Sequence, residues 1–174
     1  MEMIDKSKLL NILQEAFVKL YEFDLDAIER DTHEQCLSGR LAMYIHEELN
    51  ESMNNKVRVD VEYNRDKDNP KLENQKKRYD KDKNPYIRPD ILIHERGTDN
   101  CNILYCEIKK NNDCDTDKVK KQVYGDRKYR YGISIIKLNS TEIEFVLFEI
   151  SNSKQQLEKY CFCSNSKNLT LLSQ

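Results

Sequence analysis

The order of helix-like and strand-like segments predicts an α/β fold with a central mixed β-sheet flanked by helices. Two observations carry the prediction. Residues 5–21 and 32–50 place apolar side chains at helical spacing, and 57–63, 87–94, 102–108, 133–138 and 143–150 read as short strands. A third helical pattern, 115–130, interrupts the strands, as layered α/β architectures require. The length of 174 residues suits a single domain with a sizeable core.

In the first helix, Leu9, Leu10, Ile12, Leu13, Ala16, Phe17 and Leu20 recur on one face, and Asp5 or Ser7 offers an N-cap. In the second, Leu37, Leu41, Ile45 and Leu49 form one stripe, with Asp31 or Thr32 as the expected N-cap. Val57-Arg58-Val59-Asp60-Val61-Glu62-Tyr63 alternates strictly and predicts a half-buried strand. Residues 64–87 hold two prolines, many Lys, Asp and Asn and little that is apolar, so an exposed loop or extended hairpin is expected. Asn139-Ser140-Thr141 separates the last two strands as a hairpin turn. A short helix is expected over Lys154–Tyr160, and the rest of 151–174 reads as a weakly specified C-terminal extension.

Charged residues make up 34% of the chain and the mean hydropathy is −0.86, yet 38% apolar content gathered into runs argues for a folded domain. No apolar run approaches the ~20 residues that span a bilayer, and the polar N-terminal segment does not resemble a signal peptide. A cytoplasmic protein with no membrane partner is expected. None of the six cysteines forms a CxxC pair and the histidines are scattered, so neither zinc nor disulfides are read from them. A Gly-rich phosphate loop is lacking, which argues against an NTPase.

The net charge of −2 is unevenly spread. Residues 64–88 carry nine Lys/Arg against five Asp/Glu, and residues 109–130 carry eight against four. Both surpluses flank the strands around Asp90 and Glu107, where a polyanion would be drawn in. Tyrosines 124, 129 and 131 interleave with lysines and arginines in the second stretch. That mixture can stack bases.

The chemistry concentrates in Pro89-Asp90, ahead of Ile91-Leu92-Ile93, and in Glu107-Ile108-Lys109, at the end of the next apolar strand. Glu107 and Lys109 are two apart, so they leave one face of the strand. Carboxylates among such apolar neighbours carry a large desolvation penalty unless a cation offsets it. Mg²⁺, or Mn²⁺ in its place, prefers hard oxygen ligands and takes few protein carboxylates. Asp90, Glu107 and the carbonyl of Ile108 could supply them, with Lys109 orienting the attacking water and stabilising the phosphorus centre. Glu34 lies at the middle of the Leu37/Leu41/Ile45/Leu49 stripe. It can point toward the metal, or it can be a first-turn acid stabilised by the helix dipole.

This arrangement resembles the PD-(D/E)XK nuclease superfamily, the restriction-endonuclease-like fold. Pro89-Asp90, then Glu107-Ile108-Lys109, a glutamate on a preceding helix and a helix after the lysine carry the resemblance, over roughly residues 30–150. Glu34 to Ala42, Val59 to Arg65 and Arg88 to His94 look like small uncharacterised bacterial members of that superfamily. The resemblance implies metal-dependent cleavage of nucleic acid, DNA first, in repair, restriction or defence. Asp90, Glu107 and Lys109 would be the catalytic core and Glu34 the auxiliary acid. Lys118 and Gln122, on the following helix, would assist. Arg88, Lys110 and the run Lys76, Lys77 and Arg78 are the remaining candidate nucleic-acid contacts. A homodimer is left open. The competing expectation is a catalytically silent nucleic-acid-binding or assembly module on the same fold.

Overall fold

A computed structural model of the chain describes residues 4–50, 56–63, 65–66, 69–70, 88–109, 116–125 and 128–173. Three helices come first: α1 (Lys6–Phe23), α2 (Leu25–Glu29) and α3 (Glu34–Asn50). Strands β1 (Val57–Val61), β2 (Arg65–Asp66), β3 (Asn69–Pro70), β4 (Ile91–Glu95) and β5 (Asn102–Ile108) follow. Helix α4 (Thr116–Tyr124) precedes β6 (Tyr131–Leu138), β7 (Glu142–Ser151), β8 (Lys154–Cys163) and β9 (Asn168–Ser173). The expected α/β architecture is present, with a seven-stranded mixed sheet ordered β1-β4-β5-β6-β7-β8-β9. β2 and β3 form a separate antiparallel pair inside the segment read as a loop or extended hairpin.

Among the described residues the one parallel pair in the sheet is β5 with β6, and α4 makes the crossover between them. Side chains alternate across each strand, so the sheet has two differently furnished faces. Ile91, Ile93, Leu104, Cys106, Ile108, Ile133 and Ile135 pack on one face with Leu9, Phe17, Leu20, Leu37, Leu41 and Ile45 of α1 and α3. Leu92, Tyr105, Val146 and Phe148 pack on the other face with Val119 and Val123 of α4. Gly132 permits that second contact. A Cβ there would stand 2.5 Å from Val119 Cγ1 and 2.5 Å from Val123 Cγ2, so a side chain would prevent α4 from seating on β6.

Asp5 caps α1 by accepting from the Lys8 amide at 2.8 Å. The cap of α3 differs from expectation. Thr32 Oγ1 donates instead to the Ala27 carbonyl, and His33 Nδ1 accepts from the Gln35 amide at 3.2 Å. Glu34 is the first helical residue. The helix expected over 115–130 ends earlier, at Tyr124, and Gly125 follows directly.

The helix expected over Lys154–Tyr160 is a correction. These residues begin β8, which pairs with β7 through ten register positions from Ser151↔Lys154 to Glu142↔Cys163. Gln, Leu, Glu and Lys are good helix formers, but propensity yields to context and the turn decides against the helix. Asn152 and Ser153 both adopt positive φ (51° and 61°), the geometry of a two-residue hairpin turn that returns the strand antiparallel. Glu158, Tyr160 and Phe162 are then buried at period two. β9 adds to β8, so residues 151–173 build the last part of the sheet rather than trailing from it. Among the described residues no helix is long and apolar enough to cross a membrane.

Candidate active site

Asp90 immediately precedes β4. The carbonyl of Pro89 accepts from the Glu62 amide at 2.9 Å, which continues the β1–β4 ladder up to the edge of the site. Ile91 pairs with Cys106 and Leu92 with Tyr105, so the register carries Asp90 opposite Glu107. Ile91 and Cys106 belong to the α1/α3 face, which puts Asp90, Tyr105, Glu107 and Lys109 on the α4 face.

The backbone holds Asp90 in place. The Lys109 amide donates to the Ile135 carbonyl at 2.9 Å, as parallel pairing with β6 requires. The preceding residue must therefore turn its polar groups the other way, toward β4. Its amide duly donates to Asp90 Oδ2, Ile108 N to carboxylate at 2.6 Å. Burial raises the Asp90 carboxyl above its ordinary value, and the Ile108 amide and the charges of Lys118 and Lys109 oppose that rise only in part.

Glu107 is 3% exposed. Its Oε1 accepts from the Tyr105 hydroxyl at 2.5 Å and meets the Lys118 ammonium at 2.6 Å. Burial pushes its carboxyl up to about 7, and the charge of Asp90 adds to the effect, against the charge and hydrogen bond of Lys118 and the Tyr105 hydroxyl. Among the described residues no donor meets Glu107 Oε2 or Asp90 Oδ1. The site thus presents two carboxylate oxygens without hydrogen-bond donors.

Lys109 stands just beyond β5, and its ammonium lies 3.3 Å from Glu34 Oε2. Burial lowers the pKa of this ammonium, but the hydrogen bond to Glu34 and the charges of Glu34, Asp90 and Glu107 outweigh burial and hold it above the usual lysine range. Glu34, expected either at a metal or at a cap, is placed by the structure on the lysine. Among the described residues no group of three or more His, Cys, Asp and Glu side chains is arranged to hold a metal ion. The donors that could hold one are the carboxylates of Asp90 and Glu107 and the Ile108 carbonyl, all hard oxygens, few in number as Mg²⁺ tolerates. The Lys118 ammonium stands beside that set as a protein cation.

The other sequence-derived contacts divide. Lys118 enters the site, and Gln122, one turn further along α4, is buried at its flank. Arg88 is exposed two residues before Asp90. Lys76, Lys77, Arg78 and Lys110 lie outside the described residues.

Two features escaped the sequence reading. Tyr105 shares the parity of Glu107 and Lys109, which puts it in the site as a donor. Ser134, in register with Glu107 on the neighbouring strand β6, is fully buried, and its hydroxyl has no hydrogen-bond partner among the described residues. Asp60 and His94 form a separate cluster toward the β1 edge. His94 Nε2 lies 2.9 Å from Asp60 Oδ2, Arg96 Nε donates to the same oxygen at 2.8 Å, and Arg96 Nη2 bonds Oδ1. Burial would raise the Asp60 carboxyl, but the hydrogen bonds from Arg96 and His94 prevail and hold it well below the usual carboxylate range. Tyr63 closes this cluster edge-on to His94. His94 is buried and committed to Asp60.

No protein-family model, curated protein or solved structure matches this chain.

Proposed function

We propose that the protein is a Mg²⁺-dependent nuclease of the restriction-endonuclease-like fold that hydrolyses phosphodiester bonds in nucleic acid, DNA first. The observation that carries this reading is the facing pair of half-buried Asp90 and buried Glu107 on one side of the sheet, flanked by Lys109 and Lys118. Such a pair opposes stability, since two neighbouring carboxylates drawn partly out of water raise each other's cost of ionisation. Its use lies in binding a cation and a phosphate.

Asp90, Glu107 and the Ile108 carbonyl would hold the ion. When bound, Mg²⁺ offsets phosphate charge and favours ionisation of a water. The chain's own residues do the rest. Lys109, held by Glu34, presents its ammonium where negative charge grows on the non-bridging oxygens as the water–phosphorus bond forms and the ester bond breaks. Tyr105 fixes the Glu107 carboxylate through Oε1. Lys118, at the rim of the site, supplies a contact for a flanking phosphate. The parallel β5–α4–β6 unit and the position of both acids at adjacent strand ends support the fold assignment.

One observation favours the second reading, a nucleic-acid-binding module without hydrolysis. Glu107 already has a cation in Lys118, so the buried charge is balanced without a metal. Incubation of single- and double-stranded DNA and RNA with the purified protein, with Mg²⁺, Mn²⁺ or chelator, separates the two. Metal-dependent cleavage that is lost in Asp90→Ala, Glu107→Ala and Lys109→Ala is expected. Binding without cleavage, unchanged by metal and by Glu107→Ala, would establish the binding module instead.

A further inference from the structure

We propose that Ser134 is a positioning residue of the carboxylate pair, its hydroxyl and Oε2 of Glu107 sharing one internal water. The consequence for cation binding rests on the nuclease reading, whereas the bridge itself does not.

Ser134 is 0% exposed and its Oγ has no partner among the described residues. A buried hydroxyl left unmatched is destabilising, and such groups in native proteins usually mark an ordered water or a functional contact. Its in-register neighbours on the flanking strands are Glu107 of β5 and Val146 of β7. Only Glu107 is polar. Parallel neighbours lie about 4.8 Å apart and share a face, so the hydroxyl stands beside the carboxylate under α4. The contacts to Glu107 from Tyr105 and Lys118 both converge on Oε1, and among the described residues no donor reaches Oε2. An unmatched hydroxyl and an unmatched carboxylate oxygen, too far apart for a direct bond, supply the polar partners that an internal water needs. Held in this way, Oε2 keeps its direction when a cation or substrate draws Lys118 off Oε1.

The test is a double-mutant cycle on Ser134→Ala and Glu107→Met, the second filling the volume without an acceptor. With chelator present, Ser134→Ala is expected to lower the Tm by about 2–5 °C. In the Glu107→Met background that loss should disappear. Mn²⁺ titration followed by electron paramagnetic resonance should show at least threefold weaker binding in Ser134→Ala than in the wild type. A Tm that holds or rises in Ser134→Ala would overturn the bridge, since removing an orphan hydroxyl relieves the chain. A lower Tm with unchanged Mn²⁺ affinity would overturn the positioning role. Wild-type protein that binds no Mn²⁺ would overturn the nuclease reading, and the Tm cycle alone would then decide the bridge.

Discussion

Glu107→Gln replaces a buried carboxylate by a neutral side chain of the same shape, and the structure fixes how its effect must vary with pH. In the folded chain the Glu107 carboxyl is pushed up to about 7 from an ordinary value of 4.5. The folded state therefore keeps its proton between those two values, where the unfolded chain has lost it. Stability contributed by this group falls as pH rises through that window, because the folded state there binds more protons. Below about 4.5 both states are protonated, and above about 7 both are ionised and the deficit is complete. The gap corresponds to about 3 kcal/mol. The amide variant does not ionise, so it should match the wild type in acid and exceed it by about 2–3 kcal/mol at pH 8. Urea unfolding at several pH values between 4.5 and 8.5, with chelator present, measures the difference. A difference that stays flat across the range would refute the reasoning, since Glu107 would then ionise at its ordinary value. On the proposed nuclease reading, the same variant should lose cleavage.

Gly132→Ala should lower stability by about 1–3 kcal/mol, read by thermal unfolding, because its new methyl meets Val119 and Val123 at 2.5 Å. On the proposed nuclease reading it should also weaken cleavage, because lifting α4 draws Lys118 away from Glu107. Asp60→Asn should cost about 1–3 kcal/mol at pH 7, since Arg96 and buried His94 lose their carboxylate. The lowered Asp60 carboxyl contributes stability above its ordinary value of 3.8 and loses it as pH falls below that value, so the variant's unfolding curve should be flatter in acid. Asn152→Val should destabilise the β7–β8 hairpin by about 1–2 kcal/mol in a urea titration, as a β-branched residue resists the positive φ there. Lys118→Met should bind Mn²⁺ about tenfold more tightly than the wild type at pH 8.5 if a metal competes with this ammonium for Glu107. An unchanged affinity would show that the two cations do not compete.

Most of the sheet was legible because the strands carry strong local signals. The alternation of Val57 to Val61 and the apolar runs around Leu92 and Leu104 each specify a strand with one or two buried faces. The site was legible for the same reason, since parity alone puts Glu107 and Lys109 on one face. What parity within one strand cannot supply is a partner on another strand. Ser134 becomes interesting only once β6 is set in register with β5, and Lys118, expected on the resemblance alone, meets Glu107 only once Gly132 lets α4 sit down. β8 was misread because Lys154 to Tyr160 are sound helix formers, and the deciding information lies outside them, in two turn residues with positive φ. Glu34 was read against its own helix, where cap and metal both fit. Its partner Lys109 is 75 residues away and is brought to it by the meeting of a helix start with a strand end.

The charges around the site explain why its two readings differ by a single ion. Asp90, Glu107 and Glu34 bring three negative charges, and Lys109 and Lys118 bring two positive ones. With the lysines in place the site tolerates burial, at the expense of an elevated Glu107 carboxyl. A divalent cation would drive that carboxyl to full ionisation and make Lys118 redundant at Oε1, free to turn to another anion. A phosphodiester backbone is such an anion, and its arrival would restore the balance that the metal upset. Metal and nucleic acid would then favour each other's binding through Lys118, because each relieves the charge that the other introduces. A site built only to bind nucleic acid would have no such reciprocity, since its lysine would already be spent on Glu107.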